Sequence, residues 1–96
     1  MDELFIGRRV IVRTYSAGVH FGTLEKRQGK EVLLSNSRRL WEWTGAFTLS
    51  AVAQTGITGG RIAMVVPEIV LTEAIEVIPC SDQAAATIME ARTHTP

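Results

Sequence analysis

A chain of 96 residues, 46% apolar and 21% charged, has the balance of one folded domain and excludes a disordered chain and a multidomain enzyme. Ten basic side chains cancel ten acidic ones, so no net field draws the chain to nucleic acid or to a membrane surface. No stretch approaches the roughly 20 apolar residues of a membrane span, and the acidic opening Met1-Asp2-Glu3 is unlike a secretory leader.

Arg9 to Thr14 is short and β-branched and predicts a strand. Tyr15-Ser16-Ala17-Gly18 reads as a turn, with Gly18 free to take positive φ. Val19 to Lys26 predicts a second strand, bent or bulged at Gly22. Arg27-Gln28-Gly29-Lys30 is a hairpin turn. Glu31 to Ser35 is a third strand, which Asn36-Ser37 is expected to end. Arg39 to Trp43 alternates as a fourth, placing Trp41 and Trp43 on one face and Leu40 and Glu42 on the other.

Phe47 to Thr55 predicts one short helix, because Leu49, Val52 and Ala53 fall at i, i+3, i+4 and Gly56 suits its C-terminal stop. Thr58-Gly59-Gly60 is a loop. Arg61 to Val66 is a strand that Pro67 interrupts or edges. Residues 68–79 mix both periods. Their β-branched content predicts strand with a kink near Thr72-Glu73, and a helix is the rival reading. Ser81 can cap a last helix, with Asp82 in its first turn and Ala84, Ala85, Ala86, Ile88, Met89 and Ala91 along it. Residues 93–96 are expected to fray.

The expected fold class is therefore α+β, mainly β: a small curved β-barrel or sheet with one short middle helix and a C-terminal helix. It forms a single domain over residues 1–92. Val10-Ile11-Val12, Gly22-Thr23-Leu24 and Val32-Leu33-Leu34 together resemble the opening of SH3-like and Sm-like small barrels. Such barrels fill their interiors with side chains, so a ligand must sit outside, in a loop cleft or between subunits.

Charge divides along the chain. Residues 1–61 hold nine Lys/Arg against five acids, and residues 62–96 hold Arg92 against five acids. The halves either pair with one another or leave a basic site in the first half. A lone cysteine, Cys80, points to a reducing cytoplasm and to no metal site. It reads as a small buried apolar residue before it reads as a nucleophile. His20 and His94 stand far apart, with no nucleophile motif beside either. No spaced ligand set calls for a metal or a cofactor, and in strand geometry Glu73 and Glu76 fall on opposite faces. Gly56 to Arg61 could cradle an anion on backbone amides, or simply connect helix to strand. These readings describe a protein that is not an enzyme.

The segment Ser37 to Gly45 concentrates Arg38, Arg39, Trp41 and Trp43. Arginine neutralises phosphate or carboxylate and tryptophan stacks on planar groups. The tryptophans read as core or interface anchors before they read as ligand platforms.

Val10 to Leu24, Arg38 to Ala46 and Leu71 to Cys80 together resemble a family of small phage and prophage proteins of unknown function. That resemblance implies a viral origin and expression in the host cytoplasm. Small phage proteins of this kind include host-takeover and anti-defence factors, some of them oligomeric sponges for nucleotide signals. The leading expectation is a homo-oligomer sequestering a small anionic, nucleotide-like ligand. Arg38, Arg39 and Arg61 would meet the anion, Tyr15, Trp41 or Trp43 would stack, and Ser16 and Gly18 would offer hydrogen bonds. The alternatives are an inhibitor or adaptor on a host protein and a minor virion component. Nucleic acid ranks last as a partner because the net charge is zero.

Overall fold

Val10, Ile11 and Val12 are buried in unbroken succession, so the first strand is covered on both faces. In the computed structural model, which describes residues 3–95, the elements follow as β1 (Arg9–Thr14), β2 (Val19–Gln28), β3 (Glu31–Thr44), α1 (Leu49–Thr55), β4 (Gly59–Ile62), β5 (Val66–Leu71), β6 (Ala74–Pro79) and α2 (Asp82–Glu90). All six strands join one antiparallel sheet in the order β4-β3-β2-β1-β6, with β5 added on β3.

β3 organises this sheet because it serves two partners along one edge. β5 takes Val32–Ser37 and β4 takes Leu40–Thr44, while β2 runs along the opposite edge. A strand of 14 residues can do this only if it bends. The bend falls at Asn36, whose φ is 48°, a left-handed conformation that asparagine tolerates better than most residues. The expected break at Asn36-Ser37 is thus a bend inside one strand. Gly22 marks the matching irregularity on β2. A Cβ there would stand 3.0 Å from both Leu34 Cβ and the Ser35 carbonyl oxygen, so glycine lets the two strands close.

The result is a curled, half-barrel sheet with a core on each face. Val10, Val12, Leu24, Val32, Leu34, Leu71 and Ala74 pack together on one face. On the other, Ile11, Phe21, Leu40 and Ile62 meet Val52 and Ala53 of α1 and Ala84, Ala85 and Ile88 of α2. The mixed period of residues 68–79 resolves into two strands broken at Thr72-Glu73, as the β-branched content implied. That corner carries the chain from the β3 edge to the β1 edge, held by Tyr15 N–H to the Glu73 carbonyl and Ala74 N–H to the Lys30 carbonyl, each 3.0 Å. Pro67 lies within β5, and the interruption comes earlier, at Ala63–Val65.

Both helices are capped by side chains, α2 at the expected Ser81 and α1 at Thr48, so that α1 begins at Leu49 and not at Phe47. Thr48 Oγ1 accepts from Ala51 N–H, and Gly56, at φ 86°, ends α1. Ser81 Oγ accepts from Ala84 N–H at 3.0 Å and donates to the Gln54 carbonyl at 2.7 Å, tying the start of α2 to the end of α1. The tail expected to fray makes two contacts with β4. Thr93 bridges Ile62 in parallel, and His94 N–H donates to the Ile62 carbonyl at 2.9 Å. Pro96 lies outside the described residues.

Candidate functional site

Arg38, the first of the expected anion contacts, is inside the protein, with 2% of its surface exposed. It lies opposite Phe21 across the β2–β3 ladder, on the face that the helices cover. Its Nε donates to the Ala63 carbonyl at 2.8 Å. Nη1 donates to the carbonyls of Ile88 (2.8 Å) and Ala91 (2.7 Å), with Met89 at 3.3 Å, and Nη2 to Thr93 Oγ1 at 3.2 Å. The last carbonyls of a helix have no partners within it and carry its negative pole. Arg38 supplies both the donors and the charge, while desolvation pulls its pKa below the ordinary value. It is a helix cap and not a ligand contact.

Its neighbour Arg39 faces out, beside a cleft of about 510 Å³. The β1–β2 turn forms one wall through Ser16, Ala17, Gly18 and Val19, and β3 forms the other through Arg39, Leu40, Trp41 and Trp43. Five of the eight expected site residues therefore meet: Ser16, Gly18, Arg39, Trp41 and Trp43. Tyr15, 78% exposed, stands on the same turn without lining the cleft. Arg61 is on β4, paired with Glu42 at 2.8 Å, and lies outside it.

The two indoles do not share a face. The β3–β4 register slips between Leu40 and Glu42, leaving Trp41 as an extra residue in the ladder. Such a bulge reverses the in–out alternation beyond it. Trp41 accordingly stays outside, 67% exposed, while Trp43 is half-buried and packs against the helix-side core. Alternation in the sequence carries no mark of a bulge, which is why the strict reading placed them together.

The turn wall is held by its own bonds. The Ala17 carbonyl accepts from Arg39 Nη2 and from His20 Nε2, both at 2.8 Å. Ala17 N–H donates to Thr14 Oγ1 at 2.8 Å, and Ser16 Oγ donates to Glu73 Oε1 at 2.7 Å. His20 is buried and faces Arg39 across the ladder. Desolvation lowers its pKa first, the Ala17 carbonyl opposes that, and the Arg39 charge lowers it further. A neutral ring donating to a carbonyl is a structural brace. Nothing in the residue pattern announced it, since the partner is a backbone oxygen.

The remaining candidates carry less chemistry. Cys80 is buried, and desolvation pushes its thiol up to about 12, far from a reactive thiolate. Three amides of the glycine-rich loop are already used: Gly56 N–H on the Val52 carbonyl, Ile57 N–H on Thr87 Oγ1 and Thr58 N–H on the Thr44 carbonyl. The loop joins α1 to β4, whose strand takes in Gly59 and Gly60. Among the described residues no three His, Cys, Asp or Glu side chains gather as metal ligands, and no helix is long and apolar enough to cross a membrane. Arg13 on β1 pairs with Glu76 on β6 at 3.0 Å, so part of the charge division along the chain closes within the fold.

A mainly β, curled antiparallel domain with two helices on one face and an aromatic cleft at a strand end is the class that these features define. The chain belongs to the family described as a domain of unknown function, DUF6948, whose model matches residues 7–88. Neither the curated proteins nor the solved structures contain a match to it.

Proposed function

We propose that this is a non-catalytic binding protein that acts as an adaptor or inhibitor on another protein through the cleft between the Ser16–Val19 turn and the end of β3. One observation carries the reading: Trp41, at the β3 bulge, is two-thirds exposed beside the unburied guanidinium of Arg39. Beyond the bulge Trp43 turns to the helix-side core, and Trp41 is left in solvent. Trp and Arg are the side chains that most often dominate protein contacts. Phe47, 98% exposed in the loop before α1, is another bare aromatic ring, outside the cleft lining. The resemblance to small phage proteins supports a host protein as target and the host cytoplasm as location. The curl of the sheet supports a relation to SH3-like or Sm-like barrels.

The test is capture from a bacterial host lysate with the tagged chain and three variants. A partner retained by the wild type and by Arg61→Ala, and lost with Trp41→Ala and with Arg39→Ala, supports the reading. A partner held equally by all four, or none at all, defeats it.

The second reading is the oligomeric sponge for a planar, anionic, nucleotide-like ligand. It is favoured by a cleft whose volume lies in the range of small-molecule sites, about 300–1,000 Å³, and which pairs a guanidinium with an indole. It ranks second because Arg38 is buried and Arg61 is neutralised by Glu42, leaving Arg39 as the guanidinium that lines the cleft. Further cations would have to come from another copy. Calorimetry against cyclic and linear nucleotides separates the readings: heat abolished by Arg39→Ala places the sponge first.

A further inference from the structure

A strand edge with unpaired backbone groups is a template for another chain, and folded proteins blunt or cover such edges. The edges of this sheet differ in how they are treated. β5 carries Pro67, which removes a backbone donor, and β6 ends on Pro79. β4 is met at Ile62 by Thr93 and His94.

The end of β3 carries a bulge at Trp41 but, among the described residues, no proline and no covering segment on its cleft side. β2 begins at Val19 opposite Leu40, so β3 runs four residues further, from Trp41 to Thr44, with β4 alone as its partner. Among the described residues, no backbone group pairs with Trp41, Glu42 or Trp43 on the side that β2 has left. The β1–β2 turn folds back toward β1 instead of filling the space, and the cleft is what remains.

We infer that an extended segment of a partner protein, carrying a carboxylate side chain, adds to the sheet as a strand along Trp41–Thr44, in the course β2 would have taken upstream of Val19. The inference rests on the protein-binding reading of the cleft and names the form of the partner. Three features fix that form. The vacant edge asks for main-chain donors and acceptors, which an extended peptide presents at every second residue. A volume of about 510 Å³ takes a few side chains of such a segment. Arg39 is the cation lining the cleft, and its remaining N–H groups can meet a carboxylate while Nη2 stays on Ala17.

The test selects octapeptides from a random display library on the full-length chain. A synthetic copy of the best binder and a version N-methylated at alternate backbone amides follow. The expected binder is rich in β-branched residues and holds an Asp or Glu. Its binding slows amide exchange across Trp41–Thr44 at least tenfold, and N-methylation in the pairing register weakens it at least tenfold. Arg39→Ala removes the preference for the acid. Failure to select any peptide, protection confined to another surface, or equal binding of the N-methylated peptide overturns the inference. So does self-association of the chain that brings the same protection without peptide, since the edge would then belong to a second copy. A lysate partner that depends on Trp41 but leaves exchange at Trp43 unchanged defeats strand addition alone. A peptide that adds to β3 with no Trp41-dependent partner in the lysate defeats the adaptor reading alone.

Discussion

Arg38 Nη1 lies 2.8 Å from the Ile88 carbonyl oxygen, a contact that spans 50 positions of the chain. It joins the middle of the longest strand to the end of the last helix. Arg39, one residue on, points the opposite way and joins the cleft. Strand alternation gives adjacent arginines unrelated tasks, and only the strand's burial decides which is which.

Arg38→Ala is expected to destabilise the domain by about 3 kcal/mol, since it strips several buried carbonyls of their donors at once. Arg38→Lys recovers little, because one ammonium cannot span the forked set of acceptors. Arg39→Ala, on the surface, should stay within about 0.5 kcal/mol of wild type. Urea unfolding of the three variants measures this. Similar losses for Arg38→Ala and Arg39→Ala would overturn the division of labour.

Much of this fold was readable in the residues, and the reasons are physical. The β-branched run Arg9–Thr14, the cap Ser81 and the stop at Gly56 act locally, so local reading found them, whereas the cap Thr48 went unnamed inside a helix expected from Phe47. The kink at Thr72-Glu73 was found the same way. Asn36 was misread because a residue that breaks one strand bends another, and the outcome depends on β5 arriving to pair with β3. The site was half legible. Composition located the Arg/Trp segment, but the bulge at Trp41 and the burial of Arg38 arise from β4 and α2, more than 15 residues downstream. No pattern within the segment encodes them.

The His20 brace should make stability depend on pH. Its folded pKa is below the usual 6.5, so the unfolded chain takes up the proton first. Stability is therefore full above about pH 6.5 and falls as the pH drops from there toward the lowered folded value. Arg39, directly opposite, deepens the effect by repelling the charged ring. His20→Gln keeps an amide donor for the Ala17 carbonyl and removes the titration. Urea midpoints between pH 7.5 and 5.5 should decline for wild type and stay level for His20→Gln. Parallel curves would assign the proton uptake to another group.

Gly60 supports the cleft from behind, at the β3–β4 ladder. Its φ is 135°, a region that side chains avoid, and a Cβ there would run into the Glu42 carbonyl oxygen. Gly60→Ala should cost about 2–3 kcal/mol through backbone strain. Gly29, at φ 58° in the open β2–β3 turn, has nothing near its Cβ. Gly29→Ala should cost about 1 kcal/mol, from conformation alone. Thermal melts of the two variants compare crowding with conformation, and equal shifts would mean that the β3–β4 approach is looser than described.

The two tryptophans offer the sharpest separation of folding from binding. Trp43 fills part of the helix-side core, so Trp43→Ala should cost about 2 kcal/mol, less than a fully enclosed ring would. Trp41 touches mainly solvent, and Trp41→Ala should leave stability within about 0.5 kcal/mol while abolishing partner capture. Each single-Trp variant also reports the environment of the indole that remains. Acrylamide should quench the fluorescence of Trp43→Ala, where Trp41 is the emitter, more steeply than that of Trp41→Ala. Adding a bound partner should protect Trp41 from quencher. If Trp41→Ala unfolds the chain as readily as Trp43→Ala does, the bulge is a packing device, and the cleft loses its claim to be the contact surface.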